Sequence, residues 1–281
     1  MTDLSDLSPA VFDLALPAEN VPPARPFTLS IDVGGTGLKA NVLGLGGSLV
    51  ADRVKVPTTY PMRPAKMVER LAALAAKLPE ADRISCGFPG MVRRGQVLSA
   101  PHFVTTDGPG SEVDPELVEA WHGFDLAAAL SKAIGKPCRV ANDADVQGAA
   151  VVRGSGFEAC ITLGTGFGTA FFMDGRLLPH QEFSHVEFHK GETFNDLLGE
   201  AARKKAGDQK WNKQVRRAIA YLDTMFFFDH LYIGGGNSHR VDRRDLGPVL
   251  ERITVVDNSA GILGGIKLWE DHHIGVRGQE T

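Results

Sequence analysis

The sequence predicts an α/β protein of two lobes around a central cleft, each lobe a β-meander followed by helices. Three observations lead there. Residues 29–43 (LSIDVGGTGLKANVL) run from an apolar strand pattern through a glycine turn into a second strand pattern. Residues 159–178 (ACITLGTGFGTAFFMDGRLL) repeat the plan and add an Asp174-Gly175 hairpin turn and a short strand. The two turns lie about 130 residues apart, far beyond the roughly 20–50-residue period of a solenoid, so they read as a duplicated lobe. At 281 residues and 43% hydrophobic content the chain can fill about two cores.

Composition narrows the function classes. A net charge of −4 gives no global attraction to nucleic acid or to an anionic membrane, so any polyanion must be gripped locally. No stretch approaches the roughly 20 apolar residues of a membrane span. Cys86, Cys138 and Cys160 lie in apolar or strand-like surroundings without CxxC spacing. They read as reduced core residues of a cytoplasmic protein, with no structural zinc expected. Residues 1–26 carry four acids before the first base and five prolines. That is the opposite of a basic leader, and it reads as an extended lead-in.

The first glycine turn is the anchor. A turn of this kind leaves backbone N–H groups pointing one way, and Gly34, Gly35 and Thr36 with Lys39 form a donor set suited to phosphate. Asp32, at the mouth of the turn, is placed to hold Mg²⁺ through water. The turn opens a strand rather than a helix, which excludes both the nucleotide P-loop and the dinucleotide fingerprint. Gly44 to Gly47 supply the next hairpin, ahead of a strand over residues 49–56. Residues 65–78 (AKMVERLAALAAKL) have helical spacing with Met67, Leu71, Leu74 and Leu78 on one stripe. Residues 82–92 are a strand ending in the tight turn Gly87-Phe-Pro-Gly90. Residues 105–115 read as a surface loop, and Asp125 caps a helix over 126–134.

A short strand then ends at Asn142-Asp143, with a helix over 144–152. The pair serves either as a helix cap or as a carboxylate at a strand's carboxyl end, usable as a general base. In the second turn, Gly164, Thr165 and Gly166 match the donor set of the first. Glu182, His185 and Glu187 fall within six residues, either as metal ligands or as the donor and acceptor ring that grips a polyol. Residues 200–222 are helical and basic, a solvated face or a surface for a long anion. Gly235 and Gly236 form a third glycine turn after a strand. Residues 258–268 read as a final small-residue helix, and Asp271-His272-His273 as a tail.

In this order the segments DVGGTGLKA (32–40), GFPGMV (87–92), ANDAD (141–145), LGTGFGTA (163–170), EFSH (182–185) and IGGGNS (233–238) resemble the ROK family of sugar kinases. Residues 211–238, with a tryptophan-containing basic helix, resemble its polyphosphate-using glucokinase branch. The resemblance implies a two-lobed actin-like ATPase (ribonuclease H-like) fold. It places the small lobe at 27–140, completed by a C-terminal helix at 260–275, and the large lobe at 141–259. It implies phosphoryl transfer from polyphosphate, ATP or both to the 6-hydroxyl of glucose or a related hexose. Asp143 would be the base, and Asn142, Glu182, His185 and Glu187 would hold sugar hydroxyls. The first two turns would grip phosphate beside Asp32 and Mg²⁺, Gly235 and Gly236 would face the donor's nucleoside end, and a homodimer is implied. Ser184 stands where the family pattern has glycine, which puts the sugar's identity in question. The alternatives are an ATP-only kinase for mannose or an amino sugar, and a non-catalytic sugar sensor; retention of both Asp32 and Asp143 argues against the sensor.

Overall fold

A computed structural model of the chain describes residues 23–244, 246–256 and 260–269. Two five-stranded sheets carry the fold. The first is built from β1 (Thr28–Val33), β2 (Gly37–Leu43), β3 (Val54–Pro57) and β4 (Arg83–Phe88). The two-residue strands β5 (Val92–Arg93), β6 (Gln96–Val97) and β7 (Phe124–Asp125) form a separate small sheet, and β8 (Cys138–Asn142) completes the first large one. Its order is β3-β2-β1-β4-β8, with β1 antiparallel to β2 and parallel to β4. The second sheet holds β9 (Phe157–Leu163), β10 (Phe167–Met173) and β11 (Arg176–Leu177). After the hairpin β12 (Glu187–His189) and β13 (Glu192–Thr193) come its last strands, β14 (His230–Gly234) and β15 (Ile253–Val255). Its order, β11-β10-β9-β14-β15, repeats the first sheet's antiparallel and parallel pattern. The expected duplication is therefore a duplication of topology.

Helices α1 (Pro64–Ala75), α2 (Pro115–Trp121) and α3 (Leu126–Ile134) belong to the first half. Met67, Leu71 and Leu74 bury the expected stripe of α1. The helix stops at Ala75 rather than Leu78, because Pro79 follows and the last residues tighten into i→i−3 bonds. Asp125 caps α3 as expected, accepting from Ala128 N–H at 2.8 Å. Helix α2 was not anticipated. Asp114 caps it, and Trp121, fully buried, donates from its indole N–H to Met62 O.

The strand expected at 49–56 is also shorter. After the turn at Leu45–Gly47 a single bridge joins Leu43 to Leu49, and ladder pairing resumes only at Val54. As an edge strand with one neighbour, β3 has alternate residues exposed and little packing to extend it.

Between the sheets runs α4 (Asp143–Ala149). The Cβ that Gly87 of β4 lacks would sit 3.5 Å from Asp143 Cα, and that of Gly168 of β10 would sit 3.0 Å from Ala144 Cβ. The first turn of α4 is thus wedged between one strand of each sheet. The basic region 200–222 is two helices, α6 (Glu200–Ala206) and α7 (Asp208–Phe226), broken at Gly207 with φ 81°; α5 (Phe194–Leu198) precedes them.

The last helix, α8 (Ala260–Lys267), returns to the first sheet, where Ser85 Oγ donates to Gly265 O. Residues 270–275 of the expected final helix, the Asp271-His272-His273 tail and residues 1–22 of the lead-in lie outside the described residues. The three cysteines are buried and unbridged. Among the described residues no helix is long and apolar enough to cross a membrane.

Candidate active site

The ANDAD segment resolves into a cap followed by a free acid. Asn142 is 5% exposed; its Oδ1 accepts from Ala144 N–H at 2.8 Å and its Nδ2 donates to Gly90 O at 2.9 Å. The GFPG turn is therefore held against the start of α4, which accounts for its close backbone approach. With Asn142 as the cap, the Asp143 carboxylate makes only one weak local contact, from Ala144 N–H at 3.0 Å. It is half-buried. Burial, followed by the negative charge of Asp32, pushes its carboxyl up to about 7. The proximity has a simple origin: Asp32 of β1 is registered beside Gly87 of β4, and Asp143 lies over Gly87.

Asp32 also faces Lys39 across the β1–β2 ladder, with Nζ 2.8 Å from Oδ2. Lys39 is thus committed to Asp32 in this state. The turn between them is pinned from the segment after β3, with Thr58 Oγ1 donating to Gly34 O and Tyr60 OH to Gly35 O. Gly34 N–H is spent on Gly37 O, whereas Gly35 and Thr36 sit at the tip and Thr36 is exposed.

The second turn has Gly164 N–H bonded to Gly166 O and Thr165 exposed at its tip. The third turn sits on it: Asn237 N–H donates to Leu163 O at 2.8 Å, and Glu200 N–H donates to Gly164 O at 2.9 Å. Gly235 has φ 87° and a Cβ there would meet the Leu163 backbone at 2.5 Å, while Gly236 faces open space. None of Gly34, Gly35, Gly164 and Gly166 adopts a left-handed φ. Gly35 supplies room, since a Cβ there would strike Pro109 at 2.9 Å and the His102 ring at 3.3 Å.

The EFSH segment is only partly gathered in. Glu182 is partly buried, and its Oε1 accepts from Ser184 Oγ at 2.6 Å and from Ser184 N–H at 3.2 Å. Ser184 therefore grips the acid instead of crowding it. His185 and Glu187 are exposed, and Glu187 accepts from Gly191 N–H of its own hairpin at 3.0 Å. Among the described residues no three His, Cys, Asp or Glu side chains are grouped so that they could hold a metal ion.

Three further residues stand beside the site without a role read for them from the sequence. Asp145 and His180 are buried and paired, Oδ1 to Nδ1 at 2.9 Å. His180 Nε2 points to Glu182 Oε2 at 3.8 Å. His102, beside Gly35, feels the charges of His185 and Glu182. Asp145 sits in the quoted ANDAD motif, and its alternation with Asp143 in the first turn was the one available hint.

The ROK family profile matches residues 28–188, more than half of the chain. The chain belongs to the ROK family. It is similar to the polyphosphate glucokinase of Mycobacterium tuberculosis (strain CDC 1551 / Oshkosh), with 29% identity over 248 residues that span 83% of this chain and 88% of that one. It is also similar to the crystal structure of the inorganic polyphosphate/ATP-glucomannokinase from Arthrobacter sp. strain KM. That match has a TM-score of 0.69 and 31% identity, covering 86% of this chain and 97% of the other. A ROK family glucokinase from Streptomyces griseus, at 19% identity and TM-score 0.64 over 86% and 97% of the two chains, shares the fold. The expected two-lobed actin-like ATPase architecture is the one this ROK chain has.

Proposed function

We propose that this ROK protein is a sugar kinase that moves a phosphoryl group from polyphosphate or ATP to the 6-hydroxyl of glucose or a related hexose. The observation that carries the reading is Asp143: an acid without a strong partner, half-buried between the two sheets, with its carboxyl raised to about 7. A base poised near neutral pH is what proton removal from a hydroxyl requires. In the step, the sugar oxygen forms a bond to the terminal phosphorus and its proton passes to Asp143. The bond from that phosphorus to the donor's bridging oxygen breaks, leaving ADP or a polyphosphate one unit shorter. Alignment and charge neutralisation supply most of the remaining catalysis.

Asp32 fits a Mg²⁺ held by one carboxylate with water and phosphate oxygens completing the shell. Its side chain is 49% exposed, and its charge acts on Asp143. When bound, the ion would neutralise phosphate charge. The tips of the first two turns would grip the phosphates, and Gly235 and Gly236 would face the nucleoside end of ATP. Glu182 and His185 would accept and donate to sugar hydroxyls. Asn142, whose cap leaves one amide hydrogen and one lone pair, would add a further contact; Glu187 would join only by leaving Gly191.

A polyphosphate donor is favoured by the exposed Lys205, Lys210 and Lys213 on α6 and α7, a basic run that starts where Glu200 touches the second turn. The named activities of the similar proteins from M. tuberculosis and Arthrobacter point the same way. The protein incubated with a hexose panel, Mg²⁺ and either ATP or polyphosphate is expected to yield glucose 6-phosphate with both donors. No sugar phosphate from any pair would leave a sugar-sensing protein as the reading.

A further inference from the structure

We propose that His180 is a positioning residue that holds Glu182, ionised and oriented, as a hydroxyl acceptor in the sugar site. The inference rests on the reading of Glu182 as a sugar ligand and assigns the machinery behind it. The His180 and Asp145 side chains are only 3% and 4% exposed, and the 2.9 Å bond between Nδ1 and Asp145 Oδ1 fixes the ring's tilt. That leaves Nε2 aimed at Glu182. At 3.8 Å the contact is an ion pair and not a hydrogen bond, and Nε2 is buried with no hydrogen-bond partner. Ser184 occupies Glu182 Oε1 twice, so Oε2, on the His180 side, is the oxygen left for a ligand hydroxyl.

The charges around the ring favour the imidazolium. Asp145 and, farther off, Asp143 face it from α4, and Glu182 faces it from its own segment. Arg93 of β5 donates at 3.3 Å to the His180 backbone carbonyl. Burial pulls a charged imidazole down, yet the carboxylates of Asp145 and Glu182 overcome it and lift His180 to about 10. Burial likewise favours a neutral Glu182, but His180 and Ser184 hold its carboxyl at about 2. An ionised carboxylate accepts from a hydroxyl more strongly than a neutral acid, and a fixed one spends less entropy on binding.

The test is steady-state kinetics and calorimetric sugar binding on His180→Asn and His180→Gln, with a pH series on Asp145→Asn. Both His180 variants are expected to raise the sugar KM and Kd roughly 10- to 100-fold while kcat changes far less. In Asp145→Asn, His180 loses the partner that keeps it charged. Its sugar KM is then expected to climb between pH 6 and 8, where the parent's stays flat. Should a His180 variant fail to fold, the other and the Asp145→Asn series decide. Folded His180 variants with the parent's KM, or a flat KM in Asp145→Asn, would overturn the inference. A parent protein that neither binds nor phosphorylates any sugar would overturn the underlying reading instead.

Discussion

The two sheets share one strand order, yet their first hairpins differ in length and charge. In the first, the last registered pair Val33–Leu38 encloses four residues; in the second, Leu163–Phe167 encloses three. Beside the longer turn stand Asp32 and Lys39, a partly exposed ion pair. Beside the shorter one stand Thr162, packed against Gly168, and Thr169, which donates to Gln181 O and is 1% exposed. The longer hairpin leaves its strands carrying charge, while the shorter is buttressed by Glu200 and Asn237 and is electrically neutral. One topology thus carries two chemistries: the first hairpin has an ion pair beside its turn, and the second turn offers only backbone and hydroxyl donors.

The largest expected effect breaks the charged side. Asp143→Ala should lower kcat by ~10²–10⁴-fold with the melting temperature retained, measured by coupled assay and calorimetry. The same group sets a pH limb. Its carboxyl is raised, so it takes up a proton as pH falls through about 7; kcat/KM of the parent should fall below that pH about tenfold per unit. The sign for stability is the reverse. A raised acid costs stability above its own pKa and returns it as pH falls, so Asp143→Asn should melt no lower than the parent at pH 8.

The neutral side is broken by packing. Gly235→Ala places a Cβ into the Leu163 backbone at a positive φ and should destabilise by about 2–5 kcal/mol. Gly164→Ala, facing open space, should leave denaturant unfolding nearly unchanged. Also small, Lys39→Met removes a pair that is about one-third and one-half exposed. It should cost under about 1 kcal/mol of stability, read by urea titration.

Much of this was legible in the chain. Period-two apolar runs flanking glycines specified both meanders, and Asp125 and Asn142 announced their caps by type and position. The misses have physical causes. Helix α2 hides behind a Gly/Pro/Ser-rich run because its cap Asp114 and Pro115 look like loop residues until Trp121 is seen buried. The glycine turns show nothing of their neighbours in the sequence, yet Gly35 and Gly166 are each pressed against a residue from another segment. His180 and Asp145 lie 35 residues apart, and no spacing rule links residues joined only by the approach of α4 to the loop after β11.

Helix α8 carries a consequence for how the molecule comes into being. Gly265 packs on Ser30, Trp269 donates to Ser85 Oγ at 2.9 Å, Arg139 stacks over the Trp269 ring at 4.5 Å, and Gly264 passes so near Val146 that no side chain fits. The back of the first sheet is sealed by residues from the far end of the chain. A ribosome that has released the first 150 residues has therefore released a half-finished wall, and premature termination before residue 260 should strand the amino-terminal half with an uncovered face.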